Sequence, residues 1–109
     1  MGSDYDRILK LARANLPKGT YNKLKSINDE EEFIAVAKYA LISFLEREFY
    51  ELERKISHLE AQEIDAFFAK NKLEVIFPKI MHFSITSNEE ELARIQNLFS
   101  DVREEIRNV

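Results

Sequence analysis

Apolar residues recur every three or four positions along most of the chain, and this spacing predicts helices. The clearest case starts at Asn28, a good N-cap that is followed by four acidic residues suited to the positive end of a helix dipole. No glycine or proline interrupts the pattern downstream, so we predict one long helix. Its apolar positions are Phe33, Val36, Ala37, Ala40, Leu41, Phe44, Leu45, Phe49, Leu52, Ile56 and Leu59.

Three shorter helices are predicted by the same rule. Asp4 is a plausible N-cap for the first, which Pro17 ends, and Thr20 can cap a short second helix that reaches Ile27. Overlapping capping boxes over residues 86–90 precede the last helix. The spacing of three and four residues in that helix is typical of a core-facing seam, with the members Leu92, Ile95, Phe99, Val102 and Ile106.

Two segments between these helices are harder to interpret. The capping box that runs from Ser57 to Glu60 predicts a break or bend near Ser57, with a new helix continuing to Leu73. Residues 73–86 contain an alternating stretch that fits a strand, but a lone short strand has no partner, so we prefer a helix that is kinked or starts afresh near Pro78. The predicted fold is therefore all-α: one domain over residues 1–109, an antiparallel bundle of four to five helices with a long central helix and a kink or break near Pro78.

The composition limits the kinds of functional site that the chain can contain. The 109 residues include two glycines, two prolines and no cysteine, which excludes a disulfide framework, a thiolate nucleophile and the glycine-rich loops that cradle phosphates. The sequence shows no signal-peptide layout and no apolar run long enough to span a membrane, so we predict an intracellular, cytoplasmic protein. The opening Met-Gly-Ser, residues 1–3, is typical of an expression scar.

Charge is segregated along the chain, although the net charge is only −4. Residues 1–27 carry six basic and two acidic residues, whereas residues 28–65 carry four basic and eleven acidic ones. An acidic middle argues against a domain that wraps nucleic acid, but the basic N-terminal segment leaves room for a local phosphate contact, beside the alternative of a solvated mixed-charge surface. The candidate nucleic-acid residues are Lys10, Arg13, Lys18, Lys23 and Lys25.

Few residues suggest catalysis or a metal site. His58 has no Glu-x-x-His spacing around it, and His82 lies in an apolar segment where a hydrogen-bonded core or boundary histidine is the simpler interpretation. Acidic and basic residues of the long helix, such as Glu51 and Lys55, are spaced as helix-stabilising pairs. We therefore predict no catalytic residue, metal, cofactor or small-molecule substrate, and we expect most aromatic residues on helical seams, including Phe67, to be core.

Three segments in order resemble the helical A-domain of GINS subunits, which belong to a tetrameric DNA replication factor. Residues 16–24 (LPKGTYNKL) resemble the Leu-Pro-x-x-Phe-Tyr-x-x-Leu-like segment before the family's long helices. Residues 72–80 (KLEVIFPKI) resemble a stretch that ends in Lys-Ile, although Glu74 and Phe77 stand where the family has arginines. Residues 86–92 (TSNEEEL) resemble the start of the family's final helix.

This resemblance implies a non-catalytic subunit of a homo- or hetero-oligomer that helps to assemble the replicative helicase complex, located at the nucleoid. Family members also carry a small β-domain that is not seen here, which leaves two alternatives: an A-domain alone, or an unrelated helical bundle. The resemblance implies partner contacts through apolar helix faces, for which the candidates are Phe44, Phe49, Leu52, Leu98 and Val102.

Overall fold

The computed structural model describes residues 2–109, with side chains from Asp4 onward, so Met1 of the suggested expression scar lies outside the described residues. Within that range the chain is 86% helical and contains no strand, which confirms the all-α fold class and the long central helix. The helices are α1 (Gly2–Asn15), α2 (Lys18–Lys25), α3 (Glu30–Ala61), α4 (Phe67–Thr86) and α5 (Glu89–Arg107). None of them combines the length and apolar character needed to cross a bilayer.

The chain divides into two compact units, and α3 contributes to both. The first unit ends at Phe44 and contains α1, α2 and the first half of α3. There the Tyr5 and Phe33 rings contact each other with centroids 5.0 Å apart. The buried apolar residues of this unit are Ile8, Leu11, Ala12, Leu16, Leu24, Phe33, Ala37 and Leu41.

The second unit, Leu45–Val109, contains the second half of α3 and an antiparallel hairpin of α4 and α5. Only Ser87 and Asn88 separate the two hairpin helices, so the chain must reverse direction there. Each of the three helical segments buries residues at alternating steps of three and four, which is the spacing of bundle cores. These residues are Leu45, Phe49, Leu52 and Ile56; Ala69, Leu73, Ile76, Ile80 and Phe83; and Leu92, Ile95, Phe99 and Val102.

Helix α3 ends later than predicted. It passes through Ser57 without interruption, so the break expected there is wrong. The helix closes in a Schellman motif, in which the Ile64 amide donates to the Leu59 carbonyl and the Glu63 amide donates to the Glu60 carbonyl. Glu63 has a φ of 61°, a left-handed conformation that glycine usually supplies at this position.

Residues 73–86 are helical, and Pro78 lies inside the uninterrupted helix α4. Of the alternatives left open, the strand and the fresh helix start at Pro78 are therefore both excluded. The proline has no amide hydrogen to donate to the carbonyl four residues earlier, that of Glu74. Its ring is exposed, and its neighbours two positions away on either side, Ile76 and Ile80, are buried.

Two predicted helix caps shift by one or two residues, and two others are wrong: Asp4 lies inside α1, which begins at Gly2, and α2 begins at Lys18 after Pro17, so Thr20 does not cap it. Asp29, rather than Asn28, caps α3 by accepting a hydrogen bond from the Glu32 amide at 3.2 Å. Asn88, rather than Thr86 or Ser87, caps α5 by accepting from the Glu90 and Glu91 amides. For α3 and α5 the sequence therefore indicated a capped helix start correctly, but the capping residue itself was misassigned.

Candidate protein-interaction surface

The residues predicted to contact a partner are mostly part of the second unit's own core. Phe49, Leu52 and Val102 each have 7% or less of their surface exposed. Phe49 packs its ring against that of Phe77, with centroids 5.4 Å apart. Because these side chains already pack inside the unit, the unit itself accounts for their apolar character and leaves them almost no surface to present to a partner. The other two candidates, Phe44 and Leu98, are half-buried.

The outer side of α4 carries large apolar side chains that their own unit leaves uncovered, and the exposed polar residues Asn71, Glu74 and His82 lie among them. Five large apolar side chains there are between 49% and 79% exposed. Phe67 is one of them, so the prediction that it is a core residue is wrong. We call this surface the α4 outer face and define it by Phe67, Phe68, Val75, Pro78, Met81 and Ile85.

Helical geometry separates this face from the core. The buried residues of α4, from Ala69 to Phe83, occupy one side of the helix, and at 100° per residue Phe67, Pro78 and Ile85 point to the opposite side. Large apolar side chains on a helix are normally covered. Helix α4 has them on its covered side and also, among polar residues, on its outer side, which makes the outer face a candidate interaction surface.

Polar contacts at both ends of the hairpin hold α4 in place. Near its start, Lys72 Nζ donates a hydrogen bond of 2.8 Å to Glu105 Oε1 of α5. That bond, with help from the negative charges of Glu105, Asp101 and Glu104, raises the pKa of the Lys72 ammonium above its ordinary value, and desolvation opposes the rise. The contact therefore links the start of α4 to the end of α5 across the hairpin.

At the other end of the hairpin, one carboxylate receives two side chains of α4. Glu91 Oε1 lies 2.6 Å from His82 Nδ1, and Glu91 Oε2 accepts a hydrogen bond of 2.8 Å from Thr86 Oγ1. His82 is therefore hydrogen-bonded, as predicted, but its side chain is exposed rather than in the core or at its boundary. Glu91 is the carboxylate partner that sequence spacing did not reveal.

The basic residues of the first unit are all on the surface. Lys10 and Arg13 are exposed and lie on the side of α1 opposite the buried Ile8 and Leu11. In α2, Lys18, Lys23 and Lys25 are also exposed. Lys25 Nζ lies 5.7 Å from the ring centroid of Tyr21, within the range of a cation–π contact, and Tyr21 itself is half-buried.

Groups suited to metal binding are not found in the part of the chain that the structure describes: no cluster of three or more His, Asp or Glu side chains could hold an ion there. His58 instead lies 3.2 Å from the side-chain amide nitrogen of Gln62, one helical turn later. The surface depression beside His82 is lined by Pro78, Lys79, Glu91 and Arg94. Its charged residues are mixed in sign, and its histidine is already paired with Glu91.

Comparison with known proteins adds no further constraint, because no family model, no curated protein and no solved structure matches the chain. The class that the fold defines is an all-α protein whose second unit is a three-helix bundle with one uncovered apolar helix face.

Proposed function

We propose that the chain is a non-catalytic protein-interaction subunit and that the α4 outer face is its binding surface. The observation that supports this is the exposure of five large apolar side chains on a helix whose other side is fully packed. Exposed apolar surface on one face costs free energy in water, and patches of several hundred Å² commonly mark interaction sites. An interaction role also needs none of the catalytic or cofactor chemistry for which the sequence offers no motif.

The kind of partner is proposed from the sequence. The three segments that resemble the GINS A-domain support a role as a subunit that helps to assemble the replicative helicase complex, working in the cytoplasm at the nucleoid. Two of these segments, residues 72–80 and 86–92, lie in the hairpin that presents the α4 outer face. A subunit of this kind contributes binding surface, and no catalysis is required of it.

Affinity capture from cells of the source organism tests this proposal. The tagged chain is compared with the double variant Phe68→Ser/Ile85→Ser, and the matched control is Tyr39→Ser, which removes an equally exposed apolar side chain from the first unit. We expect the wild type and the control to enrich replicative helicase components and the double variant to lose them. If the double variant still enriches helicase components, the α4 outer face is not the binding surface. If capture depends on this face but contains no replication proteins, the GINS-like role is contradicted.

A second candidate is a small accessory protein that binds nucleic acid through the first unit. The exposed Lys10, Arg13, Lys18, Lys23 and Lys25 support it, because exposed basic residues on a short segment provide a phosphate contact. Fluorescence anisotropy with labelled DNA and RNA at low salt tests it. Binding that weakens with salt and is lost in Lys18→Glu/Lys25→Glu, but not in the control Lys79→Glu of the second unit, would support it. No binding at micromolar concentrations would exclude it.

A further inference from the structure

We infer that the α4 outer face pairs with the α4 outer face of a second copy of this chain, with the two helices antiparallel across a two-fold axis. The inference rests on the proposed function, in which this face is an interface, and it names a second copy as the occupant of the face, so that the loss of helicase components in Phe68→Ser/Ile85→Ser would follow from the loss of the homo-oligomer. An isologous pairing of this kind requires that one surface be complementary to itself.

The amount of apolar surface fits a small dimer. At the observed exposures, the five large side chains of the face present roughly 500–600 Å² of apolar area, since a phenylalanine side chain alone can bury about 150–250 Å². A standard interface buries about 800 Å² on each partner, and about 55–65% of that area is apolar. One α4 outer face therefore supplies nearly all the apolar area that such an interface needs.

The order of residues along the face suits an antiparallel copy. Large apolar side chains lie at both ends, Phe67 and Phe68 at the start and Met81 and Ile85 toward the end, while Val75 and the compact Pro78 lie between them beside the polar residues Asn71, Glu74 and His82. Rotation about an axis between Val75 and Pro78 places Phe68 opposite Ile85 of the second copy. Val75 and Pro78 then lie nearest the axis, and the polar residues supply the polar part that such an interface normally contains.

The charges near the face also permit a second copy. Helix α4 carries Lys70, Lys72, Lys79, Glu74 and His82, and within their own unit Lys72 already pairs with Glu105 and His82 with Glu91. Lys70 likewise lies 3.6 Å from Glu60 of α3. With these partners counted, two copies meet without a large like-charge repulsion, and the antiparallel arrangement sets opposite ends of the helix dipoles side by side.

Single-cysteine variants test both the partner and the register, because the chain has no cysteine of its own. At a rise of 1.5 Å per residue, residue 78 and its own copy lie only about 5 Å apart along the helix axes, whereas residue 85 and its copy lie about 25 Å apart. A disulfide needs Cα atoms within about 7 Å of each other. Mild oxidation of Pro78→Cys should therefore give a covalent dimer and oxidation of Ile85→Cys should not, while a mixture of Phe68→Cys and Ile85→Cys should give the mixed dimer.

Multi-angle light scattering on the full chain provides the second measurement. We expect the wild type to be a dimer and Ile85→Ser to dissociate at least tenfold more readily, because the two-fold axis makes each substitution remove two apolar contacts. Tyr39→Ser, outside the face, should dimerise like the wild type.

Three results would overturn the inference. Ready crosslinking of Ile85→Cys to itself would show a parallel or non-specific association. A monomer that never crosslinks but still captures a protein partner through Phe68 and Ile85 would assign the face to a different protein, and the proposed function would survive. A monomer that instead binds vesicles of phosphatidylglycerol through the same residues would assign the face to a lipid surface, and both proposals would fail.

Discussion

Replacing Pro78 by alanine should stabilise the second unit. Pro78 lies inside α4, where its nitrogen has no hydrogen for the Glu74 carbonyl and its ring crowds the preceding turn. Alanine restores the hydrogen bond, a net gain of about 1 kcal/mol. The full difference in helix propensity, about 3 kcal/mol, is the upper limit, because the helix has already adjusted to the proline. We therefore expect a gain of about 1–3 kcal/mol in the free energy of unfolding.

Urea and thermal unfolding followed by circular dichroism at 222 nm measure this gain. A gain of 1 kcal/mol should raise the melting temperature of a chain of this size by about 4 °C or more. Asn71→Ala is the matched control, because Asn71 is also exposed on α4 and its replacement changes only propensity, by less than about 0.7 kcal/mol. Repeating the melts at several protein concentrations separates folding from association. The reasoning is refuted if Pro78→Ala gains no more than Asn71→Ala or loses stability.

Three further outcomes are expected. Glu63→Gly should stabilise the chain by about 0.5–1 kcal/mol in urea unfolding, because the residue has a φ of 61° in the Schellman motif, and Glu63→Ala, which keeps the strain, should not. Phe49→Ala should cost about 3–5 kcal/mol of unfolding free energy, as for a buried aromatic residue, whereas a small loss would mean that Phe49 is not core. The raised pKa of Lys72 stabilises the folded chain below the ordinary lysine pKa, and this contribution is lost as pH rises through the folded value. In urea titrations at alkaline pH, the difference in unfolding free energy between the wild type and Lys72→Gln should therefore shrink as pH rises. A difference that does not change with pH would contradict a stabilising role for the Lys72 ammonium.

The heptad-like seams were readable from the sequence because burial in a helical bundle repeats every three or four residues. Four of the five members of the predicted last-helix seam, Leu92, Ile95, Phe99 and Val102, are buried, and the fifth, Ile106 near the helix end, is half-buried. The choice of helix for residues 73–86 was correct for a different reason: a single strand has no partner for its backbone, whereas a helix forms its hydrogen bonds internally.

The end of α3 could not be predicted from the sequence, because no glycine marks it. A capping box at Ser57 competes with helix continuation, and packing of Leu52 and Ile56 into the core overrides it. The true end uses a left-handed residue that is not glycine, and Glu63 gives no indication of that conformation in the sequence.

An apolar seam does not reveal what covers it. The face with Phe49 and Leu52 packs within the unit, so the apolar pattern was read correctly and the chain's own helices cover it. The signal for the α4 outer face was present in the sequence. Apolar residues such as Phe68, Val75 and Ile85 point away from the seam of Leu73 and its neighbours, on a side that they share with polar residues.

The turn that ends α3 also marks a place where the chain can be divided. Residues 62–65 are mostly exposed and connect the second half of α3 to the α4–α5 hairpin. Neither piece could cover its apolar seam alone, since Leu52 and Ile56 lie on one side of the cut and Leu73, Ile76 and Phe99 on the other. Two fragments separated at this turn would therefore rebuild the core of the second unit only when mixed, which makes the turn a suitable position for a split-protein reporter.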